Sequence, residues 1–379
     1  MTTGVLAGEI TVTVKTTNGC VCHTGIVSDR TAQTARVFVS RSADEVVSLA
    51  QRLFALCPAA QSLAAQSALE AARGETPSEH LRAARGLRLL AERFCEMLRS
   101  SVLDWPGSAE PEAETLKALR AALTALRALA HAAGAPGRTL GFPDAMRRDL
   151  DQARLAAASL GLPPRDSLTR QHGGFLTRIL DEAVQDTEFR LPSRAVDPLS
   201  AKDDAEVAHA LALAPERFSQ APALPGRIAE TGATARRHGG TIDGATGGDD
   251  GVLAQRLSNR FADMAATLAS MDGILSGMGL PEDQLVARED GPGHGFAAVE
   301  SARGRLFHQV RLDQGGRVEA YAILAPTEWN FHAMGPFAGQ LDGAMIGYGQ
   351  SARDRVARLG IVFDPCVRLN IVIEEHGRA

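Results

Sequence analysis

Two cysteines are placed where a thiolate could do chemistry, and they stand at opposite ends of a 379-residue chain. Cys57 lies in "RLFALCPAAQSL" (52–63), and Cys366 closes the tripeptide Asp364-Pro365-Cys366. Thiolates are soft donors that select soft metals. Proline is favoured in the first turn of a helix, so Pro58 starts one and leaves Cys57 near its N-cap, where the partial positive charge of the helix end favours the thiolate. The plainer reading at both positions is a small buried hydrophobe. A third group, "CVCH" (20–23), would put Cys20 and Cys22 on one face of a strand. It lacks a partner cluster at zinc-like spacing, however, and reads as a turn beside a hairpin rather than a site with His23. Cys95, between Phe94 and Leu98 in a helical pattern, reads as core. Five cysteines, an odd number at irregular spacing, do not form a disulfide framework, so the thiols are expected to be reduced.

Composition narrows the classes of function. The net charge of −5 comes from 45 acidic and 40 basic residues with no long block of either sign, which argues against a nucleic-acid groove or a polybasic membrane patch. No stretch approaches 18 uninterrupted apolar residues, and the opening "MTTGVLAGEITVTVK" lacks a basic flank before an apolar run, so a cytoplasmic protein is expected. Alanine is abundant and aromatics make up only 4%, a composition for closely packed helices.

The elements that must position the two cysteines can be read in order. Ile10, Val12 and Val14 alternate with threonines up to Asn18-Gly19, a hairpin signal, and "ARVFVS" (35–40) reads as a further short strand. Ser42 with Asp44 and Glu45 starts a helix carrying Val46, Leu49, Leu53 and Leu56, which Pro58 interrupts. Helical periodicity continues over 79–100, 112–133 and 144–160. "TGATARRHGGTIDGATGGDD" (231–250) has no apolar period and reads as a solvated loop or linker, with "RRH" (236–238) exposed. A helix follows. Beyond it, two strand-like runs flank Gly315-Gly316, His294 sits in a loop-like "GPGHG", and the Asp364-Pro365-Cys366 tripeptide follows a short apolar strand. His308 and His332 read as satisfied structural histidines. One domain over 1–379 is expected: a β element (1–41), a helical part (42–220), a Gly-rich loop (221–251), and a helix with a β hairpin and the final tripeptide (252–379).

Together the two ends resemble the large subunit of [NiFe] hydrogenases. That family carries an N-terminal R-x-C-G-x-C-x-x-x-H motif and a C-terminal D-P-C-x-x-C-x-x-H motif. Arg52, Cys57 and Asp364-Pro365-Cys366 match. Phe54, Ala55 and Gln61 stand in place of a cysteine, the glycine and the histidine, and Leu369 and Val372 replace the last cysteine and histidine. "ESARGRLFHQV" resembles the family's E-A-P-R-G-x-L-x-H, with Ala302 in place of its proline, and "APTEWNF" its V-P-T-T-W-N.

The resemblance implies a mainly α fold with small β elements (α+β), a truncated version of the large subunit, in which the two cysteine loops meet at the centre. It assigns Cys57 a position bridging nickel and iron and Cys366 a terminal position on nickel. By the same resemblance Arg303 corresponds to the arginine lying over the open side of the metals, Pro326 and Thr327 to the segment lining the iron's diatomic ligands, and Asp364 to an acidic group just outside the ligands. With two of four thiolates gone, a stable nickel–iron pair is not expected. Ala35 falls at the family's proton-carrying glutamate, and Gln61 cannot replace the histidine in acid–base work. The chain thus resembles those members with an incomplete ligand set that serve hydrogenase maturation. The expected role is non-catalytic, transiently holding iron with cyanide and carbonyl for the hydrogenase large subunit, alongside accessory maturation proteins. Two other readings stand beside it: a divergent nickel enzyme, and a metal-free protein that binds hydrogenase subunits.

Overall fold

The computed structural model describes residues 8–29, 32–107, 110–134, 144–163, 173–238 and 251–376. The chain opens with β1 (Glu9–Thr17) and β2 (Cys20–Ser28), then runs through α1 (Ala43–Leu53), α2 (Pro58–Ala72), α3 (Glu79–Leu103), α4 (Ala113–Ala133), α5 (Asp144–Ser159), α6 (Phe175–Gln185), α7 (Asp204–Leu213), α8 (Pro215–Gln220), α9 (Ala233–His238) and α10 (Val252–Leu275). It continues with β3 (Leu285–Glu289), β4 (His294–Ser301), β5 (Gly304–Leu312), β6 (Val318–Leu324), α11 (Pro326–Asn330), α12 (Pro336–Leu341), α13 (Gly349–Phe363) and β7 (Arg368–His376). No described helix is long and apolar enough to cross a membrane.

The N-terminal hairpin forms as expected. Asn18 and Gly19 both take positive φ, 51° and 75°, the geometry of a tight two-residue turn. Ile10, Val12 and Val14 are buried. β1 is the middle strand of a three-stranded sheet, antiparallel to β2 and parallel to β7, with Ile10 opposite Leu369 and Val14 opposite Ile373. "CVCH" is not a turn. It begins β2, with Val21 buried and a register shift that leaves Cys22 between the pairs Thr16–Val21 and Lys15–His23.

The second sheet is antiparallel in the order β3-β4-β5-β6 and is covered on both faces. Ala297, Val310 and Tyr321 face α1 and α2, whereas Phe296, Ala298, Phe307 and Leu324 face α7 and Trp329. Two-sided burial explains why β4 shows no polar alternation in "GFAAVES" and was not legible as a strand. α2 lies between this sheet and the helical bundle, and its small residues, from Ala60 through Ala64, Ala65, Ser67 and Ala68, are buried around nearly the whole helix. The closest approach is at Gly295, where any Cβ would strike the Ala68 carbonyl and the Ala72 amide of α2.

Four further segments depart from the sequence reading. "ARVFVS" is not a strand: Ala32–Phe38 forms a 3-10 helix, and only Ser40 and Arg41 bond to Val318 of β6, too short a contact for a ladder. His294 starts β4 rather than sitting in a loop. The apolar run before Asp364 is the end of α13, not a strand; four apolar residues alone do not distinguish the two. The 231–250 stretch is not a solvated linker over its described part. Thr231 and Gly232 are buried, and Arg236 of α9 pairs with Asp263 at 2.7 Å and Glu300 at 3.1 Å. The Asn330 side chain brackets the Thr231 backbone, accepting from its N–H and donating to its carbonyl. Residues 239–250 lie outside the described residues.

The packing predicts opposite effects of the same substitution at two glycines. Gly295→Ala wedges α2 away from β4 and should cost about 3 kcal/mol. Gly339→Ala, in α12 with open space around the new methyl, should be neutral or stabilise by up to about 1 kcal/mol. Urea unfolding midpoints of the two variants check this; equal effects would contradict the assigned helix–sheet contact.

Candidate functional site

Each piece of the site is presented by the end of an element. Cys57 is the N-cap residue of α2, with Pro58 in the first turn, as the sequence predicts. Asp364 caps α13 in the left-handed conformation, φ 50°, which turns the chain so that Cys366 precedes β7. Pro326 opens the short helix α11 and sets Thr327 facing Cys366: the Thr327 hydroxyl is 3.1 Å from the Cys366 sulfur and accepts from the Cys366 N–H at 3.2 Å. Arg303 sits on the tight turn between β4 and β5.

Arg303 joins these pieces. Its Nη1 donates to the Leu56 carbonyl, one residue before Cys57, at 3.1 Å, and its Nη2 lies 3.4 Å from Glu96 of α3. Its Nε is 3.5 Å from an Asp364 oxygen, an ion pair without a hydrogen bond. Burial alone would lower its pKa. Asp364, then the Cys57 and Cys366 sulfurs and Glu96, reverse this and hold the guanidinium firmly charged. Arg303 thus contacts the residue before Cys57 and the residue two before Cys366. Asp364 is also held by Arg260 of α10 at 3.0 Å, a side chain that donates further to Ser101 and the Met97 carbonyl.

The Arg303 turn is itself anchored. Buried ion pairs run from Asp263 through Arg236, Glu300 and Arg305 to Asp204, with Arg305 Nε 2.6 Å from Asp204. Gly304 leaves room for Thr231 and Gly232, where a Cβ would overlap both. Sequence reasoning missed this network. Its signal was available in α10, where Arg256, Arg260, Asp263 and Thr267 form a polar stripe at helical spacing among apolar residues, all four buried.

Glu92 of α3 is a second omission. Its carboxylate accepts from the Ala59 and Ala60 N–H groups, at 2.5 and 2.9 Å, in the first turn of α2. Burial, the largest influence, pushes its pKa up to about 7 against those two hydrogen bonds, with Glu96 adding to the rise.

The positions where the ligand motifs lapse are occupied by structural contacts. Phe54 joins the apolar cluster of Phe38 and Tyr321, which also contains Ala35. Leu369 packs into the helical core, where its methyl lies in the space a Cβ on Gly360 would need, and Val372 is half-exposed. Gln61 accepts from His308 Nε2 at 2.9 Å while the Tyr321 hydroxyl donates to Nδ1 at 2.7 Å. Burial holds His308 neutral, its pKa pushed down to about 3. Arg52 is exposed and bonds only to the Ser48 carbonyl of its own helix. Cys95 is buried core, as expected. Among the described residues no three His, Cys, Asp or Glu side chains converge as a metal-binding group.

No protein-family model matches the chain. It is, however, 36% identical to the hydrogenase expression/formation protein HupK of Rhizobium leguminosarum bv. viciae, over 377 residues and 98% of both chains. The chain belongs to the HupK family of hydrogenase expression/formation proteins. HupK of Bradyrhizobium diazoefficiens is 33% identical, again over 98% of each chain. In three dimensions a variant of the [NiFeSe] hydrogenase of Desulfovibrio vulgaris Hildenborough matches with a TM-score of 0.59, covering 92% of this chain and 93% of that one at 17% identity. The fold is that of a hydrogenase large subunit, and the likeness extends through the middle of the chain as well as its ends.

Two outcomes follow from the site's electrostatics. Arg303→Leu leaves Asp364 and Glu96 without their shared counter-charge and should destabilise the fold by about 3–5 kcal/mol in chemical denaturation. Glu92 binds its proton more tightly folded than unfolded, where the value is near 4.5, so its favourable contribution is complete below about pH 4.5 and is lost as pH rises through 7. The full shift corresponds to about 3 kcal/mol, reduced to about 2 by solvent at its outer face. Relative to Glu92→Gln, the native protein should therefore lose about 2 kcal/mol of stability between pH 4.5 and pH 8. His308 titrates in both proteins and cancels. A pH-independent offset between the two would refute the assignment.

Proposed function

We propose that this chain serves hydrogenase assembly without turnover of its own, holding iron that carries cyanide and carbonyl on Cys57 and Cys366 until it passes to the hydrogenase large subunit. The observation that carries the reading is Arg303, whose guanidinium bonds to the carbonyl just before Cys57 and pairs with Asp364, two residues before Cys366. The names of the curated relatives, expression/formation proteins, support an accessory role of this kind.

The donor set suits such a cargo better than a bare ion. A bare divalent metal usually takes three or four protein ligands, whereas iron that brings its own diatomic ligands has few positions left to fill, and two thiolates match that need. Each thiolate and each cyanide adds negative charge, which the buried Arg303 offsets. Arg303 and Thr327 can donate hydrogen bonds to cyanide nitrogens, and Asp364 orients Arg303 from behind. Pro326 fixes the start of α11 and so the place of Thr327. Two thiolates also bind more weakly than the four of the large-subunit motifs, which favours release. Nickel, needing the thiolates that Phe54 and Leu369 replace, is not retained.

The test is production in cells that make the cofactor, purification without oxygen, and then infrared spectroscopy with iron analysis. Cyanide and carbonyl bands with roughly stoichiometric iron are expected for the native chain. Both should disappear in Cys57→Ser and Cys366→Ser. Native protein lacking bands and iron under these conditions would sink the proposal. Maturation that persists with both serines in place would favour a metal-free role in binding hydrogenase subunits, and hydrogen-dependent dye reduction by the purified chain would favour an enzyme.

A further inference from the structure

Beside the first turn of α2, on the side formed by Pro58 and Ala59, a cleft of about 620 Å3 opens between α3 and α4. It adjoins the Arg303 site through Glu96, which lines the cleft and pairs with Arg303, and its volume is that of a small-molecule pocket. Small side chains leave it open: Ala55 and Ala59 beside the start of α2 and Ala130 on α4 line its wall, over a floor of buried Ala91 and Leu126.

The charges lining it are unequally matched. On the acidic side, Glu96 faces Arg99 and Arg303, each at 3.4 Å, and the Glu92 carboxylate is turned to the amides of α2. On the basic side stand Arg88, Arg127 and His131. Among the described residues neither Arg88 nor Arg127 makes an ion pair or a hydrogen bond, although Arg88 is half-buried with its stem against Gly134. Desolvation of Arg88, the largest influence on it, outweighs the attraction of Glu92, and neighbouring Arg85 adds repulsion. A partly desolvated guanidinium with no anion is costly, and its planar fork matches a carboxylate or phosphate group.

We propose that the cleft between α3 and α4 is a binding site for a small organic anion, a carboxylate or phosphate ester, whose charged group pairs with Arg88 and Arg127 while its apolar part covers Ala55, Ala59 and Ala130. The inference does not depend on the role of Cys57 and Cys366.

Calorimetric titration and thermal unfolding of the full chain, at constant ionic strength, with inorganic pyrophosphate and with citrate as probes, test it. Saturable binding of at least one probe is expected, with a raised unfolding midpoint. Arg88→Gln with Arg127→Gln should weaken it by about tenfold or more. Arg120→Gln, elsewhere on α4, should leave it unchanged. Preference for pyrophosphate identifies a phosphate ligand, and preference for citrate a carboxylate. As a second test that leaves both arginines in place, Ala130→Leu, which fills the cleft from α4, should weaken binding as well. Absence of saturable binding, binding that survives the double substitution, equal loss in Arg120→Gln, or binding unaffected by Ala130→Leu would overturn the proposal.

Discussion

A single buried guanidinium holds the two halves of the site together. Removing a charge from water costs several kcal/mol, and only well-placed opposite charges offset it. Arg303 obtains these from α3, through Glu96, and from the cap of α13, through Asp364, while its remaining arm reaches the carbonyl before Cys57. Segments more than three hundred residues apart are thereby tied to one point. The turn bearing Arg303 is fixed in turn by the ion-pair chain through Arg236, Glu300 and Arg305, and by the absence of a side chain at Gly304. Such a network has little tolerance for single losses, because each member removed leaves a buried charge behind.

The lapsed ligand positions show how a large-subunit fold stands without a full ligand set. A metal site contributes binding energy to the fold that surrounds it. Here that contribution is replaced by ordinary packing and hydrogen bonding: Phe54 sits in an apolar cluster, Leu369 in the space opposite Gly360, and Gln61 in a hydrogen-bonded row with His308 and Tyr321. None of these contacts requires a metal. Arg303 and Asp364, and Thr327 and Cys366, by contrast, are paired at element ends, and Arg303 also bonds to the residue before Cys57.

Much of this was legible in the sequence where local chemistry dictates structure. Asn18-Gly19 specified its hairpin, Ser42 and Glu45 their helix start, and Pro58 the helix that leaves Cys57 at its N-cap. The approach of the Cys57 segment and the Asp364 cap to Arg303 was suggested only by the motifs, because no periodicity encodes contact between distant segments. What escaped was decided by tertiary context. β4 is buried on both faces and so has no alternation; the run before Asp364 is too short to type; and the 231–238 segment looks like solvated loop until Asn330, Asp263 and Glu300 supply its partners. Glu92 carried no local signal, since its role depends on amides more than thirty residues away.

The parallel pairing of β1 with β7 bears on when the molecule can mature. At ordinary rates of translation the ribosome needs roughly tens of seconds to travel from codon 9 to codon 376. Throughout that interval the apolar edge of the first hairpin lacks its neighbour, and the loop carrying Cys366 does not yet exist. Non-local closure of this kind is intrinsically slow and leaves strand edges open to wrong partners. The three-stranded sheet is therefore completed only after β7 has been made, roughly 350 residues behind the strand it joins.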